Sequence, residues 1–278
     1  MNYFRTLSQG EIPSRPLWLP FLEILASQVD ACALPLLLSD ATRWANALPR
    51  VAKLVEAQVV AVGFIDELGV EAFASMPEQP WSHPNMNALL DCVGRLAETV
   101  RPARELAVAL PGPARLCQAL GVETDRAGME RIKPGLVKLL EMVCERRPEL
   151  VVLNELIAPD SPVLSGDYRR LVNTLKNVSV YFGVPLGLRI SGYRNGVEAI
   201  ASLGGLKLEH LMLGELGLDP AVALATLAGS DWRSLGLPLA GAASAAPALP
   251  QSGITCYWCS AVQEIDLELA RATGQALA

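Results

Sequence analysis

Short apolar runs recur along this chain, most of them separated from the next by a longer amphipathic stretch. That alternation constrains the fold more than any other feature, because strand–helix repeats build parallel βα units. The runs are Leu17–Phe21, Val59–Phe64, Leu106–Leu110, Leu150–Leu153, Leu186–Ile190, Leu211–Leu213, Leu235–Ala240 and Gly253–Cys256. Val59–Phe64 reads VVAVGF, the continuous β-branched pattern of a strand covered on both faces. Between the runs, Arg43–Glu56, Met86–Val100, Met129–Arg146, Tyr168–Phe182, Gly196–Leu203 and Pro220–Leu227 read as helices. A further helical stretch ends near Leu120, and Gln263–Leu277 is a terminal helix. Met129–Arg146 sets Leu136, Leu139, Leu140 and Val143 on one face. Eight strand candidates in 278 residues predict an α/β fold, a single (β/α)8 TIM barrel over residues 1–278. An open doubly wound sheet is the alternative, but no Gly-rich phosphate fingerprint follows a strand. Gly241–Ser252 (GAASAAPALPQS) is low in complexity and is expected to be a mobile loop near the active face.

Charge narrows the partners. A formal net charge of −6 leaves no basic stripe for nucleic acid. No apolar run reaches the length of a membrane span, and Met1–Arg15 lacks the apolar stretch of a signal peptide. These features predict a cytoplasmic protein with a small-molecule substrate. The six cysteines are too sparse for a disulfide framework. Cys32, Cys92, Cys117, Cys144 and Cys256 sit in apolar surroundings and are expected to be reduced core residues.

In barrel enzymes the chemistry gathers at the carboxyl ends of the strands. The first strand leads to Glu23, the second ends in Asp66 and Glu67, and the third leads to Gly112. The fourth ends in Asn154 and Glu155, the fifth carries Arg189 and Ser191, and the sixth is followed by Glu215. Burial beside an apolar barrel raises a carboxyl pKa and suits it to proton transfer. The plain alternative for each residue is a helix cap or a solvated loop. Cys256-Tyr257-Trp258-Cys259 has the spacing of a zinc or redox pair, but no second pair supplies the other ligands. Of the two histidines, His210 precedes a strand and falls at the wrong face, and His83 lies in a proline-rich surface loop.

The order of these segments resembles the uroporphyrinogen decarboxylase superfamily, which includes methylcobamide:thiol methyltransferases. Phe4-Arg5 with Pro16-Leu17-Trp18 is similar to the family's entry segment. Gln58–Asp66 resembles the strand ending in the decarboxylase's aspartate, and Leu110-Pro111-Gly112-Pro113 resembles its Gly-Pro turn. Val184–Gly192 resembles the strand that carries the methyltransferases' His-x-Cys zinc ligands, and Cys256 to Ala272 resembles the final loop and helix. The resemblance implies that Asp66 stabilises a protonated intermediate and that Cys256 is the last zinc cysteine. It also shows departures. Leu19-Pro20-Phe21-Leu22-Glu23 replaces the decarboxylase's paired arginines, and Arg189 and Ser191 replace the zinc pair.

Three functions fit. The first is methyltransferase-like or demethylase-like chemistry with a corrinoid on a partner protein. Asp66, Glu155 or Glu215 would handle protons, and Arg189, Ser191, Glu215 and Glu23 would hold substrate. Zinc on Cys256 and Cys259 belongs to this reading. The second is cofactor-free decarboxylation of a small carboxylated compound, with Arg189 on the carboxylate. The third is a non-catalytic barrel that serves as a binding subunit.

Overall fold

The computed structural model describes residues 3–8, 17–65, 67–101, 103–155, 165–190, 196–213, 220–238, 255–259 and 266–277. Eight strands form one sheet: β1 (Trp18–Leu19), β2 (Val59–Val62), β3 (Glu105–Pro111), β4 (Leu150–Glu155), β5 (Leu186–Ile190), β6 (His210–Leu213), β7 (Ser234–Pro238) and β8 (Thr255–Cys259). Every pair is parallel, and the spatial order is β1-β8-β7-β6-β5-β4-β3-β2. A parallel bridge joins Phe21, just past β1, to Ala61 of β2, so the two ends of that order also meet.

Twelve helices are described: α1 (Tyr3–Ser8), α2 (Leu22–Val29), α3 (Leu34–Leu38), α4 (Ala41–Leu54), α5 (Glu67–Ser75), α6 (Pro84–Thr99), α7 (Pro113–Ala119), α8 (Arg126–Cys144), α9 (Gly166–Tyr181), α10 (Gly196–Leu203), α11 (Pro220–Leu227) and α12 (Leu267–Leu277). Their starts follow local chemistry. Asp40 caps α4 by accepting from the Thr42 and Arg43 amides, and Asp125 caps α8 by accepting from Gly128. Proline opens α6 and α7, where its missing N–H has no intrahelical partner to lose. Among the described residues no helix is long and apolar enough to cross a membrane.

Successive side chains of a strand point to opposite faces, so each strand divides its residues between two cores. One core holds Leu19, Phe21, Val59, Ala61, Ala107, Ala109, Leu150, Val152 and Met212, on the inner face of the sheet. The other holds Val60, Val62, Leu106, Val108, Leu110, Val151, Leu153, Leu188 and Ile190 against helical residues such as Leu89, Val93, Leu136 and Leu139. Burying each large apolar side chain contributes about 1.5–3 kcal/mol.

Helix α1 stoppers the amino ends of the strands. Tyr3, Phe4 and Leu7 join the inner core. The Phe4 amide donates to both oxygens of buried Glu105 at the start of β3, at 3.2 and 3.3 Å. The Phe4 ring meets the His210 ring edge-on at 5.3 Å. Arg233 Nη1 donates to the Leu7 carbonyl at 3.2 Å. His210 is the first residue of β6 and bonds Ser234 through Nδ1 at 2.6 Å, so it does stand at the amino end.

Several elements depart from the sequence reading. β1 is confined to Trp18–Leu19, because Pro20 has no N–H to extend the ladder. β8 runs on through Cys259, where it pairs with both β7 and β1. Helices α2, α3 and α5 fill stretches read as connections. Cys92, Cys117 and Cys144 are buried free thiols as expected, but Cys32 is half-exposed and accepts from Arg43 Nη1 at 3.1 Å. It is a free thiol between α2 and α3 that packs against the edge of the outer core. Gly241–Ser252 lies outside the described residues.

Candidate functional site

The carboxyl ends of a parallel sheet gather the loops of every βα unit, so a site is sought there. Register decides which side chains face inward. Pro111, Asn154, Arg189, Met212 and Gly236 are side-by-side partners across β3 to β7 and form one interior rung. The rung beneath it is Ala109, Val152, Gly187, His210 and Ser234. The upper rung therefore carries one cation and one amide among apolar groups.

Arg189 is only 6% exposed. Its Nη1 donates to Asn154 Oδ1 at 2.7 Å. Its guanidinium carbon lies 5.0 Å from the centre of the Phe21 ring, within cation–π range. Phe21 in turn stacks on Phe64 at 4.4 Å and 13°. Among the described residues Arg189 forms no ion pair. The arginine is thus held on two sides, by an amide and an aromatic face, with a buried charge that no described carboxylate neutralises.

Glu155 is placed differently. It follows Asn154 on β4 and pairs in register with Ile190 of the outer core. Its Oε1 accepts from the Ala114 amide at 3.1 Å and its Oε2 from the Arg115 amide at 2.9 Å. Both donors belong to the first turn of α7, so Glu155 caps that helix from a neighbouring strand. Gly112, which precedes α7, is required here: an added Cβ would come within 2.2 Å of Glu155 Cδ. Burial pushes the Glu155 carboxyl up to about 7, against the pull of the Ala114 and Arg115 amides.

Glu23 lies in the first turn of α2 and is fully buried. Its Oε1 accepts from the Gly63 amide at 2.6 Å, just past β2. Gly63 has φ +79°, and a Cβ there would meet the Ala109 carbonyl at 2.7 Å. Among the described residues, Oε2 of Glu23 is buried without a hydrogen-bond partner. Desolvation raises this carboxyl to about 7, opposed by the backbone amides of Glu23, Gly63 and Phe64. Gly63, Ile65, Met86, Pro111, Arg115 and Asn154 line a narrow cavity between the ends of β2 and β3.

The structure thus brings Arg189 and Asn154 together on the interior face. Glu155 is turned to the helix layer, and Glu23 ties α2 to β2. Asp66, Ser191 and Glu215 lie outside the described residues. Cys256 and Cys259 fall in β8, in register with Leu235 and Pro238, but their side chains lie outside the described residues too. Among the described residues no group of three or more His, Cys, Asp or Glu can hold a metal. The positions at which the resemblance expects two zinc ligands carry Arg189 and Ser191. A guanidinium is a cation with no lone pair to donate, so Arg189 cannot stand in for a zinc ligand. The partnership of Phe21 with Arg189 escaped the sequence reading. Its only signal there was an aromatic residue at the end of the first apolar run.

No protein-family model matches the sequence, and no curated protein is similar to it. Solved structures are similar over almost the whole chain. A methyltransferase from Methanosarcina mazei has a TM-score of 0.75 at 14% identity, over 98% of this chain and 96% of that one. The metallated homocysteine methyltransferase of Escherichia coli gives 0.58 at 14% identity, over 97% and 99%. A xylose isomerase-like TIM barrel protein from Mycobacterium smegmatis, in complex with magnesium, gives 0.54 at 12% identity, over 95% of each. At these identities the likeness is one of fold: the chain is an α/β protein with a parallel sheet, similar in architecture to methyltransferases and to a TIM barrel protein.

Proposed function

We propose that this chain is a single-domain (β/α)8 barrel of the uroporphyrinogen decarboxylase type, closed through the Phe21–Ala61 bridge, and that it acts in methyl transfer on an anionic substrate. The buried Arg189, fixed by Asn154 and Phe21 at the carboxyl end of β5 without a described counter-ion, carries the reading. Removing a guanidinium from water is costly unless an anion meets it. A substrate carboxylate or related group supplies that anion and is oriented by the guanidinium fork. Two of the similar structures are methyltransferases, which supports methyl transfer over other barrel chemistries.

In this reading a corrinoid on a partner protein is the methyl carrier, and no step is assigned to zinc. Asp66 and Glu215, which follow β2 and β6 in sequence, are the groups for moving the substrate's proton, and Ser191, next after β5 in sequence, is a further substrate-binding group. Glu155 acts at one remove by fixing the β4–α7 junction. Glu23 holds the end of β2 by accepting from the Gly63 amide, and is a substrate-binding group in this reading.

The test is transfer of the methyl group of methylcobalamin to added thiol acceptors, followed by the corrinoid absorbance, with release of CO2 from small carboxylic acids measured in parallel. Methyl loss that falls at least tenfold in Arg189→Met and in Asp66→Ala supports the proposal. CO2 release without methyl loss replaces it with decarboxylation. Neither activity would leave a binding subunit.

A further inference from the structure

The interior rung at the carboxyl ends says more about the ligand than that it is negative. Five consecutive strands contribute Pro111, Asn154, Arg189, Met212 and Gly236 to it, so the described rung offers one cation and one neutral amide. Phe21, Phe64, Ala109 and Val152 pack around and beneath it in the inner core, and Gly187, His210 and Ser234 complete the rung below, where His210 and Ser234 bond each other. The two described carboxylates at this end add no counter-charge to Arg189, because backbone amides hold Glu155 in the helix layer and Glu23 against Gly63.

From this we infer that the site selects a monocarboxylate with an apolar body, with Asn154 as the positioning residue that aims Arg189. The inference rests on the anion-binding reading above and adds the class of anion. A single buried guanidinium, one of whose N–H groups is committed to Asn154 at 2.7 Å, matches one planar carboxylate through its remaining fork. A second carboxylate or a phosphate ester would bring further negative charge to a described rung whose one cation is Arg189. A cationic methyl compound, such as a quaternary ammonium, would meet Arg189 as a like charge.

The experiment is isothermal titration of the full chain with butyrate, benzoate, acetate, sulfate, citrate and tetramethylammonium. Butyrate or benzoate is expected to bind at least tenfold more tightly than sulfate or citrate, and more tightly than acetate. Tetramethylammonium is expected not to bind. Arg189→Met should weaken butyrate at least tenfold. If that variant does not fold, Arg189→Lys, which keeps the charge and loses the fork, should weaken it severalfold. Asn154 gives the sharper readout. Asn154→Asp retains an acceptor for Arg189 but neutralises it, and should abolish butyrate binding, whereas Asn154→Ala should only weaken it. A purely structural asparagine would show the reverse order, with the aspartate the milder change. Tighter binding of citrate, sulfate or tetramethylammonium, butyrate binding untouched by the Arg189 variants, or no binding of any probe overturns the inference. Butyrate binding without any methyl transfer would remove the proposed reaction and leave this inference standing. Methyl transfer on a neutral compound in a protein that ignores butyrate would do the opposite.

Discussion

Arg189 sits where stability and ligand recognition pull in opposite directions. Its guanidinium is 6% exposed and meets an amide oxygen and an aromatic face but no described carboxylate. Holding a charge out of water without a counter-ion carries a desolvation penalty of roughly several kcal/mol. Arg189→Met is therefore expected to unfold at higher denaturant than the parent while losing the stabilisation that an added monocarboxylate gives. A midpoint that falls instead would mean the arginine is chiefly a structural brace. Glu155 shows the opposite case, a buried carboxyl whose two oxygens are both engaged by amides of α7. Leaving such a donor unmet costs about 1–3 kcal/mol, so Glu155→Ala is expected to lose at least that much in chemical denaturation. Arg189 was picked out from its place within an apolar run and Glu155 from its place after one. The roles of Asn154 and Glu155 were not separable there, because they are neighbours and only the pleat sends one inward and the other to the helices.

Two elements hang on single residues. The β4–α7 junction depends on Gly112, since a Cβ there would overlap Glu155. Gly112→Ala must push Glu155 off the α7 amides and is expected to destabilise by about 1–3 kcal/mol, a range typical of overpacking. The same substitution in a Glu155→Ala background should show a smaller effect, which a thermodynamic cycle would measure. At the amino ends, α1 depends on Phe4, which is fully buried against His210 and inner-core residues. Phe4→Ala is expected to cost about 3–5 kcal/mol and to open Tyr3–Ser8 to proteolysis before the rest of the chain. Helix α1 was not legible as an element because six residues carry almost no periodicity. Its reason for being helical is the tertiary pocket that receives Tyr3, Phe4 and Leu7.

For the whole molecule, the buried titratable groups set how stability varies with pH. Burial raises Glu23 and Glu155 from 4.5 to about 7 and Glu105 to about 8. The folded chain keeps protons there that the unfolded chain releases, so this stability is full below pH 4.5 and is lost as pH rises through 7–8. His210 works in the other direction: burial lowers it to about 3, and its contribution is lost as pH falls below 6.5. Three carboxyls outweigh one imidazole, so unfolding free energy is expected to fall between pH 5 and 8, as measured by denaturant titration. Glu105→Gln should flatten the part of that fall above pH 7. The sequence by itself determined the number and order of the strands, the alternation of their faces and Arg189 as the one cation within a strand-end run. These properties depend on residues two to four apart, whose patterning no distant contact alters. Only the tertiary structure decided that the sheet's two ends meet at Phe21 and Ala61, that Arg189 is clamped by Asn154 and Phe21, and that Glu155 belongs to α7. Each of those depends on partners far apart in the chain, 41 residues in the case of Ala114 and Glu155, brought together by strand register and helix packing.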